Sequence, residues 1–167
     1  MIRVVVDDIA FVLQDAIVRP VNETLETASQ ALRHIERVGG AKLLDQIPPD
    51  TELEVGAATV TGGGDLNSEF VIHAVIKHAN DPITVSGVKR GIQSALEQAV
   101  RWQFGSLGIP PMGTGPGDLG FEQSADLLCD LLHRHLRKHD YPSTVTIVVA
   151  TEAEKSVFEN FLKLKAR

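Results

Sequence analysis

The sequence has a single cysteine, Cys129, among 167 residues, so no disulfide can form within the chain. That thiol falls inside an apolar helical pattern and reads as a buried structural residue rather than a nucleophile. Long hydrophobic runs are missing too: nothing approaches the 18 or so apolar residues of a membrane span. The apolar stretch Ile2–Val6 near the N-terminus is too short for a signal peptide, and the expectation is a cytoplasmic protein without a membrane partner. Positive charge is in deficit. Sixteen Lys and Arg against 22 Asp and Glu give a net charge of −6, which offers no long-range attraction to nucleic acid. A phosphate-bearing ligand would have to be held by local donors.

What is present is ordinary for a soluble domain: 43% hydrophobic and 23% charged residues. The chain is long enough for one real core, and no repeat, low-complexity segment or linker divides residues 1–167. Strand patterns occur at Ile2–Val6, Ala16–Val18, Gly56–Thr61, Phe70–Ile76, Ser106–Ile109 and Thr144–Val149. The second is expected to stop at Arg19-Pro20, because proline cannot continue a ladder from the middle of a sheet. Helical patterns start at Thr27-Ala28-Ser29 and run to Val38, where Gly39-Gly40 stops them, and a short helix over Ala41–Asp45 follows. Further helices span Val85–Phe104, the segment after Gly120 to about Lys138, and Glu152–Leu164. Their apolar faces are Val88, Ile92, Ala95, Leu96 and Ala99; Ala125, Leu128, Leu132 and Leu136; and Val157, Phe161 and Leu164. Strands alternating with helices predict a three-layer α/β/α sandwich on a mixed, mostly parallel sheet.

The stretch Ile109-Pro110-Pro111-Met112-Gly113-Thr114-Gly115-Pro116-Gly117-Asp118-Leu119-Gly120 joins a buried strand to an amphipathic helix. Its glycines let the backbone approach a ligand closely, and the free N–H groups of the following helix start suit an anion. No Gly-Lys-Ser or Gly-Lys-Thr follows, so this is not a Walker-type loop. The alternative is a plain strand-to-helix turn. Open α/β sheets bind ligands at the carboxyl ends of their strands. Asp7-Asp8, Arg19–Asn22 and Gly113–Gly120 all fall at such ends. An acid, an amide, a cation and a phosphate cradle in one cleft suit a nucleotide diphosphate better than a hydrophobic metabolite.

These residues resemble those of the macro domain family, which binds ADP-ribose. Asp8-Ile9 is similar to the family's Gly-Asp-Ile-Thr, and Asp15-Ala16-Ile17-Val18 with Asn22 to its Asp-Ala-Ile-Val-Asn-Ala-Ala-Asn. Gly56–Thr61 and Val71–Val75 resemble its middle strands, and Ile109-Pro110 with Gly113–Gly117 its phosphate loop. The resemblance implies that Asp8 accepts a hydrogen bond from the adenine amino group, with Ile9 beside it. It implies that Asn22 bonds the distal ribose, and that Gly113, Thr114, Gly115, Pro116 and Gly117 wrap the diphosphate. No cofactor or metal is implied. Two departures stand out. The family's first asparagine is Arg19 here, and its Gly-rich loop after the second asparagine is replaced by Glu23-Thr24-Leu25-Glu26-Thr27-Ala28-Ser29. The run Gly62-Gly63-Gly64 follows the wrong strand to take over that role.

Each residue also has a plainer reading. Asp8 serves equally as a strand-end cap, and Arg19 as a partner of Asp15 or Asp8 instead of a ligand contact. His73 in an apolar strand reads as a satisfied core histidine. His133, His135 and His139 lie among Arg134, Arg137 and Lys138 and read as a basic helix end rather than a metal site. Gly115-Pro116-Gly117-Asp118-Leu119-Gly120 fits a dinucleotide Gly-x-Gly-x-x-Gly pattern, but too little chain follows to complete that fold. Three functions stay open: binding of ADP-ribose or a related nucleotide diphosphate; hydrolysis of ADP-ribosyl esters, with water activated by the substrate's phosphate or by Glu23 or Glu26; and a structural, homo-oligomer-forming domain whose cleft has lost its ligand.

Overall fold

The computed structural model describes residues 1–166. Six strands, β1 (Ile2–Val6), β2 (Ala16–Val21), β3 (Ala58–Gly62), β4 (Phe70–Val75), β5 (Ser106–Ile109) and β6 (Thr144–Val149), form one sheet in the order β1-β6-β5-β2-β4-β3. All neighbours are parallel except β3, which runs antiparallel on β4 at the edge. The helices are α1 (His34–Leu44), α2 (Val85–Trp102), α3 (Phe121–Lys138) and α4 (Glu152–Lys165).

Strand side chains alternate between two apolar layers, as a pleated sheet covered on both faces requires. Ala16, Val18, Ile72, Ala74, Val145 and Ile147 pack on one face with Ile92 and Leu96 of α2, Leu128 and Leu132 of α3, and Phe158 of α4. Ile17, Val71 and Val148 pack on the other with Ile35 and Leu43 of α1. The result is the three-layer α/β/α sandwich with its mostly parallel sheet. Helix α4 is rotated from the expected register: Phe158 is fully buried, Val157 and Phe161 pack at its margin, and Leu164 is exposed.

The largest departures from the sequence-based expectation lie in β2 and around α1, each for a physical reason. Strand β2 continues through Arg19 and Pro20, which pairs with Ala74 of β4. Neighbour β5 pairs only with Ala16 and Ile17, so the side of β2 that Pro20 leaves without an N–H has already lost its ladder. The Pro20 carbonyl is taken instead by the Ala28 N–H at 2.9 Å. The helix expected from residue 27 begins as one 3-10 turn, Gln30–Leu32, before α1. Gly40, at φ 66 and ψ −166, then kinks α1, so the two expected helices are halves of one bent element.

Candidate functional site

The strands β1, β6 and β5 end on the same edge of the sheet, next to the point where β5 parts from β2. A cavity of about 250 Å³ opens there. Its floor and walls are Asp7, Asp8 and Ile9 after β1, Val148–Ala150 at the end of β6, and Pro111 and Thr114 after β5. Ser29, Ala31 and Leu32 close one side, with His34 of α1, Phe121 of α3 and Glu154 of α4 completing the ring. A second hollow of about 240 Å³, lined by Asn22, Glu26, Thr27, Ala28, Arg33, Lys77 and Ala79, lies across the 28–33 segment from the first.

The first hollow is acidic at its polar end. Asp8 Oδ1 accepts the Ala10 N–H at 2.9 Å and faces His34 Nε2 at 2.5 Å. Partial burial works to raise the Asp8 pKa. The hydrogen bonds from His34 and Ala10, with the charges of His34 and Arg37, outweigh it and hold the carboxyl below its ordinary range. Glu154 caps α4, accepting from the Ala150 N–H and the Thr151 hydroxyl. Between these acids run apolar surfaces from Ile9, Leu32, Val148 and the half-exposed Phe121 ring.

The glycine loop borders this hollow through Thr114. Gly113, Gly115 and Gly117 have φ of 80, 155 and 78, so the loop uses the left-handed region three times in five residues. It is closed by Leu119 N–H to Gly113 O and Asp118 N–H to Gly115 O, both at 3.0 Å. Helix α3 starts immediately after, its N-cap Gly120 supplying no side-chain cap. Gly115, Pro116 and Gly117 are exposed at the rim.

Arg19 lies elsewhere than expected. It is completely buried under α1, where its guanidinium donates to Glu36 at 2.6 Å, to His73 Nδ1 at 3.0 Å and to Thr27 Oγ1 at 3.1 Å. Neither Asp15 nor Asp8 is its partner. Burial lowers its pKa against the opposing hydrogen bond and charge of Glu36, while Glu36, which burial alone would raise, is held low by Thr27 and Arg19. His73 is the expected core histidine: burial and the Arg19 charge lower its pKa to about 3. It accepts from Arg19 at Nδ1, and so donates from Nε2 to Thr61 Oγ1 at 2.8 Å.

Asn22 does line the second hollow, but its amide is already engaged. Oδ1 accepts from Thr24 N–H, Thr24 hydroxyl and Glu26 N–H, and Nδ2 donates to Glu26 Oε1. The loop that replaces the Gly-rich segment is a hairpin folded back on β2, with Thr27 bridged to Val21 and its N–H donated to Glu36. Glu23 faces the other way, accepting from Ala79 N–H at 2.7 Å beside His78. The expected single cleft is therefore two hollows: Asp8, Ile9 and Thr114 share one, Asn22 belongs to the next, and Arg19 to neither.

The macro domain family model matches residues 18–128, two thirds of the chain. The chain belongs to the macro domain family. This macro domain is 28% identical over 164 residues to an uncharacterized protein of Aquifex aeolicus, covering 98% of one chain and 96% of the other. It is 27% identical over 167 residues to a protein of Enterobacter cloacae named O-acetyl-ADP-ribose deacetylase, with coverage of 96% and 93%. Among solved structures, the Oceanobacillus iheyensis macrodomain with ADP superposes at a TM-score of 0.85, with 24% identity and coverage of 96% and 89%. A Trypanosoma brucei macrodomain in complex with ADP-ribose superposes at 0.83, with 19% identity and coverage of 95% and 68%.

Sequence reasoning missed several residues of this macro domain's cleft. Glu154 had a legible signal, the Thr151-x-x-Glu154 capping box. Phe121 sits at a helix start where its exposure marks it only in three dimensions. His34 carried no local signal at all. At the basic end of α3 the His135 and His139 rings stack at 4.4 Å, and among the described residues no three His, Cys, Asp or Glu side chains gather at one point. Cys129 is buried, its thiol pushed up to about 12 by burial and Asp126.

Proposed function

We propose that this macro domain binds ADP-ribose or a related nucleotide diphosphate across the first hollow. The observation that carries the reading is the order of polarity along the cleft. Asp7, Asp8 and Glu154 stand at one end, backbone-rich Thr114 and the glycine loop in the middle, and Arg33 and Lys77 beyond the 28–33 segment. Carboxylates only accept hydrogen bonds and repel phosphate, so the acidic end suits the amino and hydroxyl donors of a nucleoside. Asp8 takes the adenine amino group, with Ile9 and Phe121 against the ring. The diphosphate lies on Gly113, Thr114, Gly115, Pro116 and Gly117, near the free N–H groups that begin α3. Solved macrodomains of this fold hold ADP and ADP-ribose, which supports the same ligand class here.

A second reading, hydrolysis of an ADP-ribosyl ester, is favoured by the name of the Enterobacter cloacae relative. The Asn22 carbonyl oxygen held by the Thr24 and Glu26 N–H groups, and the buried Glu23 carboxylate held by the Ala79 N–H, weigh against it. Thermal unfolding with ADP-ribose, AMP and NAD tests the binding reading. A ligand at about 100 times its Kd adds about 2.7 kcal/mol to the native state, several degrees in Tm for a domain of this size. ADP-ribose should give the largest shift. No shift with any of the three, at millimolar concentration, would overturn the reading.

A further inference from the structure

The two walls of the first hollow are tied together by one side-chain contact. His34 is the first residue of α1, directly after the turn whose Ala31 and Leu32 line the hollow. Asp8 belongs to the wall that follows β1. Their contact is 2.5 Å between His34 Nε2 and Asp8 Oδ1, the oxygen that also accepts from Ala10. A carboxylate has no proton to give, so Nε2 carries it and donates. Two protein donors therefore occupy Oδ1, and among the described residues none reaches Oδ2. Both side chains remain partly open, Asp8 at 43% and His34 at 24% exposure.

A short charge-assisted hydrogen bond fixes the rotation of a carboxylate as well as its position. Held by Ala10 alone, Asp8 would swing between orientations and present either oxygen to the hollow. We propose that His34 is a positioning residue that sets base specificity in this cleft: by engaging Oδ1 it leaves Oδ2 as one fixed acceptor for an exocyclic amino group. The inference rests on the nucleotide-binding reading above. It carries a pH consequence. The charged groups facing Asp8 are Asp7 from its own segment, His34 and Arg37 from α1, and Glu154 from α4 across the hollow. Of these His34 supplies the hydrogen bond, so its removal lets the Asp8 carboxyl protonate at higher pH.

The test compares the full chain with His34→Ala, His34→Gln and His34→Asn, titrated with ADP-ribose and with its inosine counterpart. ADP-ribose titrations are repeated from about pH 7 to about pH 4, through the carboxylate range. An acceptor left without its donor costs on the order of 1–3 kcal/mol, so the wild type should prefer ADP-ribose about tenfold or more. His34→Ala should lose most of that preference and lose ADP-ribose binding at higher pH than the wild type. The Gln amide can donate to the same oxygen and should restore the ratio; the shorter Asn should not. A merely structural His34 would lower Tm and both affinities together without moving their ratio. An unchanged ratio and pH profile in folded His34→Ala overturns the inference alone; if that variant does not fold, Gln and Asn variants behaving alike do so. Wild-type protein that binds neither ligand overturns the nucleotide reading and the inference with it.

Discussion

His73, Arg19, Glu36 and Thr61 form a relay from α1 across β2 and β4 to the edge strand β3: Arg19 donates to Glu36 and His73, His73 to Thr61, and Thr61 to Gly62 O. A buried guanidinium is tolerable only with such partners, since an unpaired charge in the core costs several kcal/mol. The relay also dictates a pH response. His73 has a folded pKa of about 3 against 6.5 unfolded, so the unfolded chain takes up a proton that the folded one refuses. Its contribution to stability is complete above pH 6.5 and falls by about 1.4 kcal/mol per pH unit as acidity rises towards the folded value. His73→Gln keeps an acceptor and a donor without the titration. In denaturant unfolding from pH 7 to pH 5, the wild type should lose about 2 kcal/mol more than this variant. Equal losses would show that His73 is not the neutral link. At this scale the sequence was partly legible. An apolar strand around His73 announced a satisfied core residue, whereas the partner of Arg19 lay on a helix 17 positions later, beyond any local pattern. The alternation Ile17, Arg19, Val21 did put Arg19 on the α1 face, but only once β2 is known to run through Pro20.

Elements were legible where period and punctuation agreed. Ser106–Ile109 and Thr144–Val149 fall where their apolar runs put them, and α2 carries the expected buried stripe. Pro20 misled because the rule against proline in a central strand assumes neighbours on both sides. Here one neighbour has parted, and the gap it leaves is next to the first hollow. The glycine loop was legible as a link between β5 and α3, not as a shape. Its Gly115 has φ 155, and an added Cβ would lie 3.0 Å from Asp118 Oδ2. Gly115→Ala should therefore push the Asp118 carboxylate aside and strain the loop's backbone, at roughly 1–3 kcal/mol confined to an exposed rim. Tm should fall by only a few degrees, while calorimetry should show ADP-ribose affinity reduced by about tenfold or more if the loop's backbone donors hold the diphosphate. Wild-type affinity in a folded variant would remove the loop from the site.

The molecule as a whole separates two tasks that one cleft was expected to combine. On the proposed reading, recognition belongs to the first hollow, between β1, β6, the glycine loop and α4. The distal hollow carries Asn22, Arg33 and Lys77, and there the chain has turned its donors inward. Asn22 accepts three hydrogen bonds and gives one, all within five residues of sequence, and the hairpin it organises spends the Thr27 and Ala28 N–H groups on Glu36 and Pro20. To accept from a water or a ribose hydroxyl, the Asn22 oxygen has to give up bonds of this kind first. Proximity and orientation supply much of an enzymatic rate, so an engaged amide lowers turnover more than affinity. The remaining acids offer no substitute, since Glu23 holds Ala79 N–H and Glu26 holds the Asn22 amide. The expected behaviour is measurable ADP-ribose binding with little multiple turnover of O-acetyl-ADP-ribose. Asn22→Ala should then act on stability, losing about 1–3 kcal/mol as the loop's donors are orphaned, with ADP-ribose affinity changed only a few-fold. Rapid turnover by the wild type, abolished in folded Asn22→Ala, would mean that the hairpin opens on substrate and that the distal hollow is a reaction site after all.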